Sequence, residues 1–274
     1  MRRLVKGLGG GLGIVAVGLM SCGMMMAQST GSGGEAGLPN APVPQVESAP
    51  EVTLKGLPKA VLVDQKSIWT SPARIRTKDL VWLAPLAAAT GVAIATDHYT
   101  MSSVVSQNPS FNADNVNASN VLIGGFIAAP VALFGVGQYE HDAKARETGL
   151  LGAEALLDGV VVEQGMKLVF WRERPSLDNS RGLFWQGDAG WDSSFPSSHA
   201  TLAWSSAAVI AGEYRSPWVQ ASVYTLATGV SLTRVLGQEH FPTDVLVGSA
   251  VGWLIGHYVV RSHHHPSLRR QGGR

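Results

Sequence analysis

The sequence predicts an all-α protein: a six-helix bundle preceded by a signal-like segment and a disordered linker. Three observations carry that expectation. The chain is 45% hydrophobic but only 15% charged, well under the roughly 25% of ordinary soluble domains. Six apolar segments recur after residue 78, each longer than a usual strand and without period-two alternation. The stretch ahead of them is rich in Gly, Pro and Ser and cannot bury enough apolar surface to order itself.

Residues 1–28 read as an export signal: Arg2, Arg3 and Lys6 precede the apolar run LGGGLGIVAVGLM. Cleavage after Ala27, lipidation of Cys22 within LMSC, and an uncleaved anchor all remain open. Cys22 is the only cysteine, so no disulfide or Cys-based zinc site can form within the chain. Residues 29–77 read as the linker, semi-extended where proline clusters. The helical domain covers 78–262, with helices expected over 80–95, 121–137, 150–171, 200–212, 218–236 and 245–260. Gly248, Gly252 and Gly256 give the last helix a small-residue face for close packing, in a membrane or a soluble bundle alike. Residues 263–274, with the histidine run 263–265, read as a mobile tail. The formal net charge of +1 offers no nucleic-acid footprint.

Three clusters concentrate polar chemistry at helix ends. In KLVFWRERP, Lys167 and Arg174 lie seven apart, two turns along one helix face, with Pro175 ending the helix. Two cations there suit an anion. In PSSH, Ser197 or Ser198 can cap a helix that starts near His199. A helix N-terminus binds phosphate through free N–H groups and its dipole, and a histidine beside it can protonate a leaving group. In TRVLGQEHFPTD, Arg234 ends one helix and His240 precedes the next, with Asp244 four residues on. A carboxylate on one imidazole nitrogen fixes the tautomer and frees the other to attack. In an up-down bundle all three clusters reach the same end. Arg172 and Arg181 flank them and read as surface charges. Glu154, Asp158 and Glu163 read as polar bundle contacts or exposed groups.

Together these motifs resemble the type 2 phosphatidic acid phosphatase and vanadium haloperoxidase superfamily. Its signature is Lys-x6-Arg-Pro, then Pro-Ser-Gly-His, then Ser-Arg-x5-His-x3-Asp. Lys167, Arg174 and Pro175 match the first part; Pro196, Ser197 and His199 the second; Arg234, His240 and Asp244 the third. Ser198 stands in place of glycine and Thr233 in place of serine. The resemblance implies a bundle of that type and hydrolysis of a phosphoester with neither metal nor cofactor. In it His240 forms a phosphohistidine and Asp244 orients it. His199 protonates the leaving oxygen, then activates water. Lys167, Arg174, Arg234, Ser197 and the Ser198 N–H bind phosphate. The implied substrate is a phosphorylated lipid: phosphatidate, phosphatidylglycerol phosphate or a polyprenyl diphosphate. The alternatives are a soluble periplasmic acid phosphatase, a vanadate-dependent haloperoxidase and a non-catalytic phospholipid binder.

Membrane placement divides the sequence evidence. Arg74, Arg76, Lys78, Lys144, Arg146, Arg215 and Arg261 fall on the side opposite the clusters, while the 97–120 loop on the near side carries no Lys or Arg. That is the positive-inside pattern for spanning helices with an outward-facing site. A leading export signal conflicts with it for six spans, since the site would end in the cytoplasm. The segment 200–212 is also short for a span. The favoured expectation is a membrane-associated, exported domain whose site faces the periplasm.

Overall fold

The computed structural model describes residues 53–185 and 192–263. The signal-like segment with Cys22, the linker through residue 52 and the tail beyond 263 lie outside the described residues. Seven α-helices and no strand are found among them: α1 Leu57–Trp69, α2 Leu80–Tyr99, α3 Pro109–Tyr139, α4 Ala143–Phe170, α5 Ser198–Glu213, α6 Pro217–Leu236 and α7 Pro242–His263. The six expected helices are α2 to α7. Helix α1 lies inside the segment read as linker. Its Pro58 occupies the first turn, and its polar residues reach the bundle: Gln65 donates to Asp158 Oδ1 at 2.8 Å, and Tyr258 donates to Asp64 at 3.0 Å. Trp69 packs where Gly165 leaves room on α4.

Helix boundaries follow local chemistry. Asn108 caps α3 by accepting from the Ser110 and Phe111 amides, with Pro109 in the first turn. That start is twelve residues ahead of the expected one, so much of the supposed 97–120 loop is helix. Asp142 caps α4 by accepting from Lys144 and Ala145. Helix α5 is the hub, packed against α3, α4, α6 and α7. Its interior face is small: Ala200, Ala203, Ala207, Ala208 and Ala211 are all buried. The glycine face of α7 meets it. A Cβ at Gly252 or Gly256 would collide with the Thr201 or Ser205 carbonyl oxygen, so the α5–α7 approach requires glycine there.

Three segments have the length and apolar composition to cross a bilayer: Thr77–Val104, Pro109–Tyr139 and Pro242–Ser262. The domain is membrane-associated on that ground. The most apolar window of the first is wholly unburied within the protein, as a lipid-facing helix should be.

Candidate active site

All three clusters meet at one end of the bundle, at the C-terminus of α4, the N-terminus of α5 and the α6–α7 turn. The route differs from the expected one for Arg174. Helix α4 stops at Phe170 because Trp171 turns left-handed, with φ 39°. Lys167 therefore sits on the last turn of α4, while Arg174 arrives from the following loop rather than along a shared face. Ser197 is the α5 N-cap, accepting from the Ala200 amide at 3.4 Å.

His240 is buried in the turn before α7. Its Nδ1 lies 2.8 Å from the Ser194 carbonyl oxygen. A carbonyl only accepts, so Nδ1 carries the proton and Nε2 keeps its lone pair. Asp244 Oδ2 is 3.7 Å from the same nitrogen, beyond hydrogen-bond reach. Its oxygens are taken up elsewhere: Oδ2 accepts from Ser194 Oγ at 2.5 Å and the Phe241 amide at 2.8 Å. The expected direct His240–Asp244 bond is thus replaced by a path through Ser194. Burial pulls the His240 imidazole below its usual range, with Asp244 opposing. It is accordingly neutral at neutral pH.

Two of the three cations, Arg174 and Arg234, converge on Glu239, which no motif marked. Arg174 Nη1 donates to Glu239 Oε2 at 2.7 Å, and Arg234 Nη2 donates to the same oxygen at 3.1 Å. Arg174 also pairs with the exposed Asp192 at 2.7 Å. Arg234 Nη1 donates to Ser119 Oγ at 3.2 Å, and its buried Nε has no hydrogen-bond partner among the described residues. A buried donor left without an acceptor is costly. This cradle therefore suits an incoming anion.

His199 faces the same space. Its Nε2 lies 3.0 Å from Asn120 Oδ1, on the part of α3 read as loop. Burial first, then Arg234, His240, Lys167 and Arg174, pull its imidazole down to about 3. Lys167 lies 3.5 Å from Glu163, and burial pulls its ammonium down while Glu163 opposes. Ser198 Oγ donates to Glu163 Oε2 at 2.9 Å. The side chain that replaces the motif's glycine is therefore drawn toward α4. Glu163 is a buried partner of two site residues, not simply a bundle contact. The Thr233 hydroxyl donates back to the Gly229 and Val230 carbonyls of its own helix.

Arg172 overturns its reading as a surface charge, being 2% exposed. It donates to Asp244 Oδ1 and Asp97 Oδ2, each at 2.7 Å, and to the Gly182 carbonyl at 3.1 Å. Its guanidinium stacks over the Phe184 and Phe241 rings. Gly182 has φ +60°, and a Cβ there would strike the Phe241 ring. Arg181 is exposed.

An apolar groove of about 760 Å3 adjoins the site between α2, α6 and α7. Val235 and Pro242, next to Arg234 and Phe241, form its near end, and Trp82, Trp253 and Leu254 lie toward the far end. From Pro242 to Leu254 it follows α7 for about 18 Å at the helical rise per residue.

Comparisons with known proteins agree with these motifs. Residues 148–266 match the model of the PAP2 superfamily. A 65-residue stretch is 40% identical to lipid A 1-phosphatase of Porphyromonas gingivalis, covering 23% of this chain and 15% of that protein. The match thus spans a small part of that relative's length. Two solved structures are similar at a TM-score of 0.45. LpxE of Aquifex aeolicus is 18% identical, covering 60% of this chain and 92% of that one. The first transmembrane PAP2 type phosphatidylglycerolphosphate phosphatase from Bacillus subtilis is 17% identical, covering 80% and 98%. The matched residues contain Lys167, Arg174, Ser197, His199, Arg234, His240 and Asp244, and through them residues 148–266 of this chain are similar to the PAP2 superfamily.

Proposed function

We propose that this protein is a membrane-associated phosphatase that hydrolyses lipid phosphates or diphosphates without a metal, through a phosphohistidine. The observation that carries this reading is the meeting of Lys167, Arg174, Arg234, His199 and the Nδ1-protonated His240 at one end of the bundle. Phosphate displaces the Glu239 carboxylate from the two arginines, and Arg234 Nε gains an acceptor. The α5 N-terminus adds the Ser198 N–H and its dipole. His240 Nε2 attacks phosphorus, and the bond to the ester oxygen breaks. The leaving oxygen takes a proton from His199. His199, now neutral, accepts a proton from water as that water attacks the phosphohistidine, releasing phosphate and restoring both imidazoles. The cations stabilise charge on the equatorial oxygens throughout.

The groove supports a lipid as the rest of the substrate: its lining is apolar, it begins beside Arg234, and two of its walls are candidate spans. An Ala250→Trp substitution, filling it away from the cations, is expected to raise KM for a long-chain lipid phosphate by about tenfold. Turnover of p-nitrophenyl phosphate, which has no tail, stays as in the wild type. Equal effects on both substrates would contradict the assignment. The basic residues Arg74, Arg76, Lys144, Arg146 and Arg215 cluster at the opposite end of the bundle. By the positive-inside rule that end faces the cytoplasm and the site faces the periplasm.

The protonation states give a pH prediction. A neutral His240 is required, and its lowered pKa puts the acid limb of kcat/KM below the ordinary histidine value of about 6.5. The His199 imidazole, pulled to about 3, is neutral in the free site, so its proton arrives with a substrate monoanion. The alkaline limb should follow the substrate's second phosphate ionisation, about 6 for a simple phosphomonoester. Substrates of different phosphate pKa should move that limb by the same amount; a fixed limb would contradict proton delivery by substrate.

The function itself is tested by hydrolysis of a panel of lipid phosphates alongside p-nitrophenyl phosphate, with His199→Ala and His240→Ala controls. Turnover of lipid phosphates that both substitutions remove is expected. No hydrolysis by the wild type, or full activity in the His240→Ala protein, would overturn the reading.

A further inference from the structure

Four buried side chains form a continuous polar chain leading from α2 to the attacking imidazole. Asp97, in the last turn of α2, is 1% exposed. It accepts from Thr243 Oγ1 at 2.7 Å, from the Thr243 amide at 3.2 Å and from Arg172 Nη2 at 2.7 Å. Arg172 passes the contact to Asp244 Oδ1 at 2.7 Å. Asp244 holds Ser194 Oγ, and the Ser194 carbonyl holds His240 Nδ1 at 2.8 Å. The Ser194 amide in turn donates to the Arg172 carbonyl at 2.8 Å, so Arg172 fixes this loop through both backbone and guanidinium.

The charge balance of that chain matters. One guanidinium is shared by two buried carboxylates, leaving one negative charge near His240. The geometry points to Asp97 and Arg172 as positioning residues for catalysis: Asp97 holds part of the Arg172 charge away from Asp244, so Asp244 retains the negative field that stabilises His240 as it becomes cationic. This rests on His240 acting as the nucleophile. The other charged groups facing His240 are Arg234 from α6 and Arg174 from the loop after α4, and the titratable His199 of α5 lies near it as a neutral imidazole. Glu239 on the α6–α7 turn bridges the two arginines. All of these stay in place when Asp97 is altered.

The sign of the effect follows. Asp97→Asn keeps the size and an acceptor oxygen but removes a negative charge. Arg172 then belongs wholly to Asp244, and protonation of His240 becomes harder. The His240 pKa and the acid limb of kcat/KM should both fall by about half a unit. The kcat should fall about tenfold, as for outer partners of imidazoles at metal sites, with KM unchanged. Asp97→Glu, which keeps the charge, should restore the acid limb. Thr243→Val removes the hydroxyl that holds Asp97; Asp97 then draws Arg172 further from Asp244, and the pKa should rise.

Two readouts are used on the full-length protein in detergent: the pH–rate profile, and NMR titration of 13Cε1-labelled histidine with His240 assigned by a His240→Gln protein. The NMR readout is independent of turnover. A wild type that hydrolyses no phosphoester defeats the phosphatase reading, while the His240 titration still decides the coupling. Folded Asp97→Asn protein with an unmoved His240 pKa overturns the proposal. Should that variant fail to fold, an unmoved pKa in Thr243→Val overturns it, and an upward shift supports it.

Discussion

Replacing His240 with glutamine is expected to lower turnover of a lipid phosphate by about four orders of magnitude or more, the scale on which enzymes lose rate when their nucleophile goes. The phosphate cradle does not depend on it. Lys167, Arg174 and Arg234 are held by Glu163, Asp192, Glu239 and Ser119, and the α5 N-terminus by Ser197. Competitive inhibition by inorganic phosphate should therefore survive within a few fold. Glutamine can still donate to the Ser194 carbonyl, which limits damage to the loop. A loss of less than tenfold in kcat, measured over the pH range where wild type is active, would mean that His240 is not the attacking group.

Removing Arg172 should have the largest effect on stability. Its guanidinium is the shared partner of two buried carboxylates, Asp97 and Asp244, both at 2.7 Å. Arg172→Ala would leave both without their cation and empty the space between the Phe184 and Phe241 rings. Breaking a buried ion pair by removing one partner costs about 3–5 kcal/mol, a large share of a typical domain's stability. Reduced yield of folded protein and a markedly lower unfolding temperature in detergent are expected. Adding Asp97→Asn to Arg172→Ala should recover part of the loss, because one fewer charge is then stranded. An unfolding midpoint equal to wild type in Arg172→Ala would show that the pairing contributes nothing to the fold.

The meeting of the three clusters that form the candidate site was legible in the sequence because their markers are local. Proline and serine caps before α5, a proline at the start of α7 and basic residues at helix ends place chemistry at one end of any up-down bundle. The partnerships were not legible. Arg172 meets Asp244 across 72 residues and Asp97 across 75, and nothing near Arg172 in sequence separates a buried arginine from an exposed one. Asp97 did carry a signal: a lone acid closing the apolar run LVWLAPLAAATGVAIAT. An ionisable residue at the edge of such a segment needs a buried partner. Asn120 and Ser119 were hidden by the polar, Asn-rich start of α3. That composition suggests a loop, but its polar residues belong to a helix face turned toward His199 and Arg234. Helix α1 was masked by the proline-rich stretch before it; what fixes α1 is packing on α4 and α7, which periodicity cannot reveal. The His240–Asp244 spacing suggested direct contact, yet α7 begins only at Pro242, so the pair spans a turn and Ser194 fills the gap.

The account turns on a covalent bond between phosphorus and one imidazole. Rapid mixing with a 32P-labelled lipid phosphate, quenching in alkali to preserve phosphohistidine, and mapping of the labelled peptide test it most directly. The prediction is acid-labile label on the peptide containing His240, lost in His240→Gln and accumulating when the His199-dependent second step is slowed by His199→Ala on a substrate with a good leaving group. An active wild type that carries no label under these conditions, or carries it on any other residue, would contradict the account.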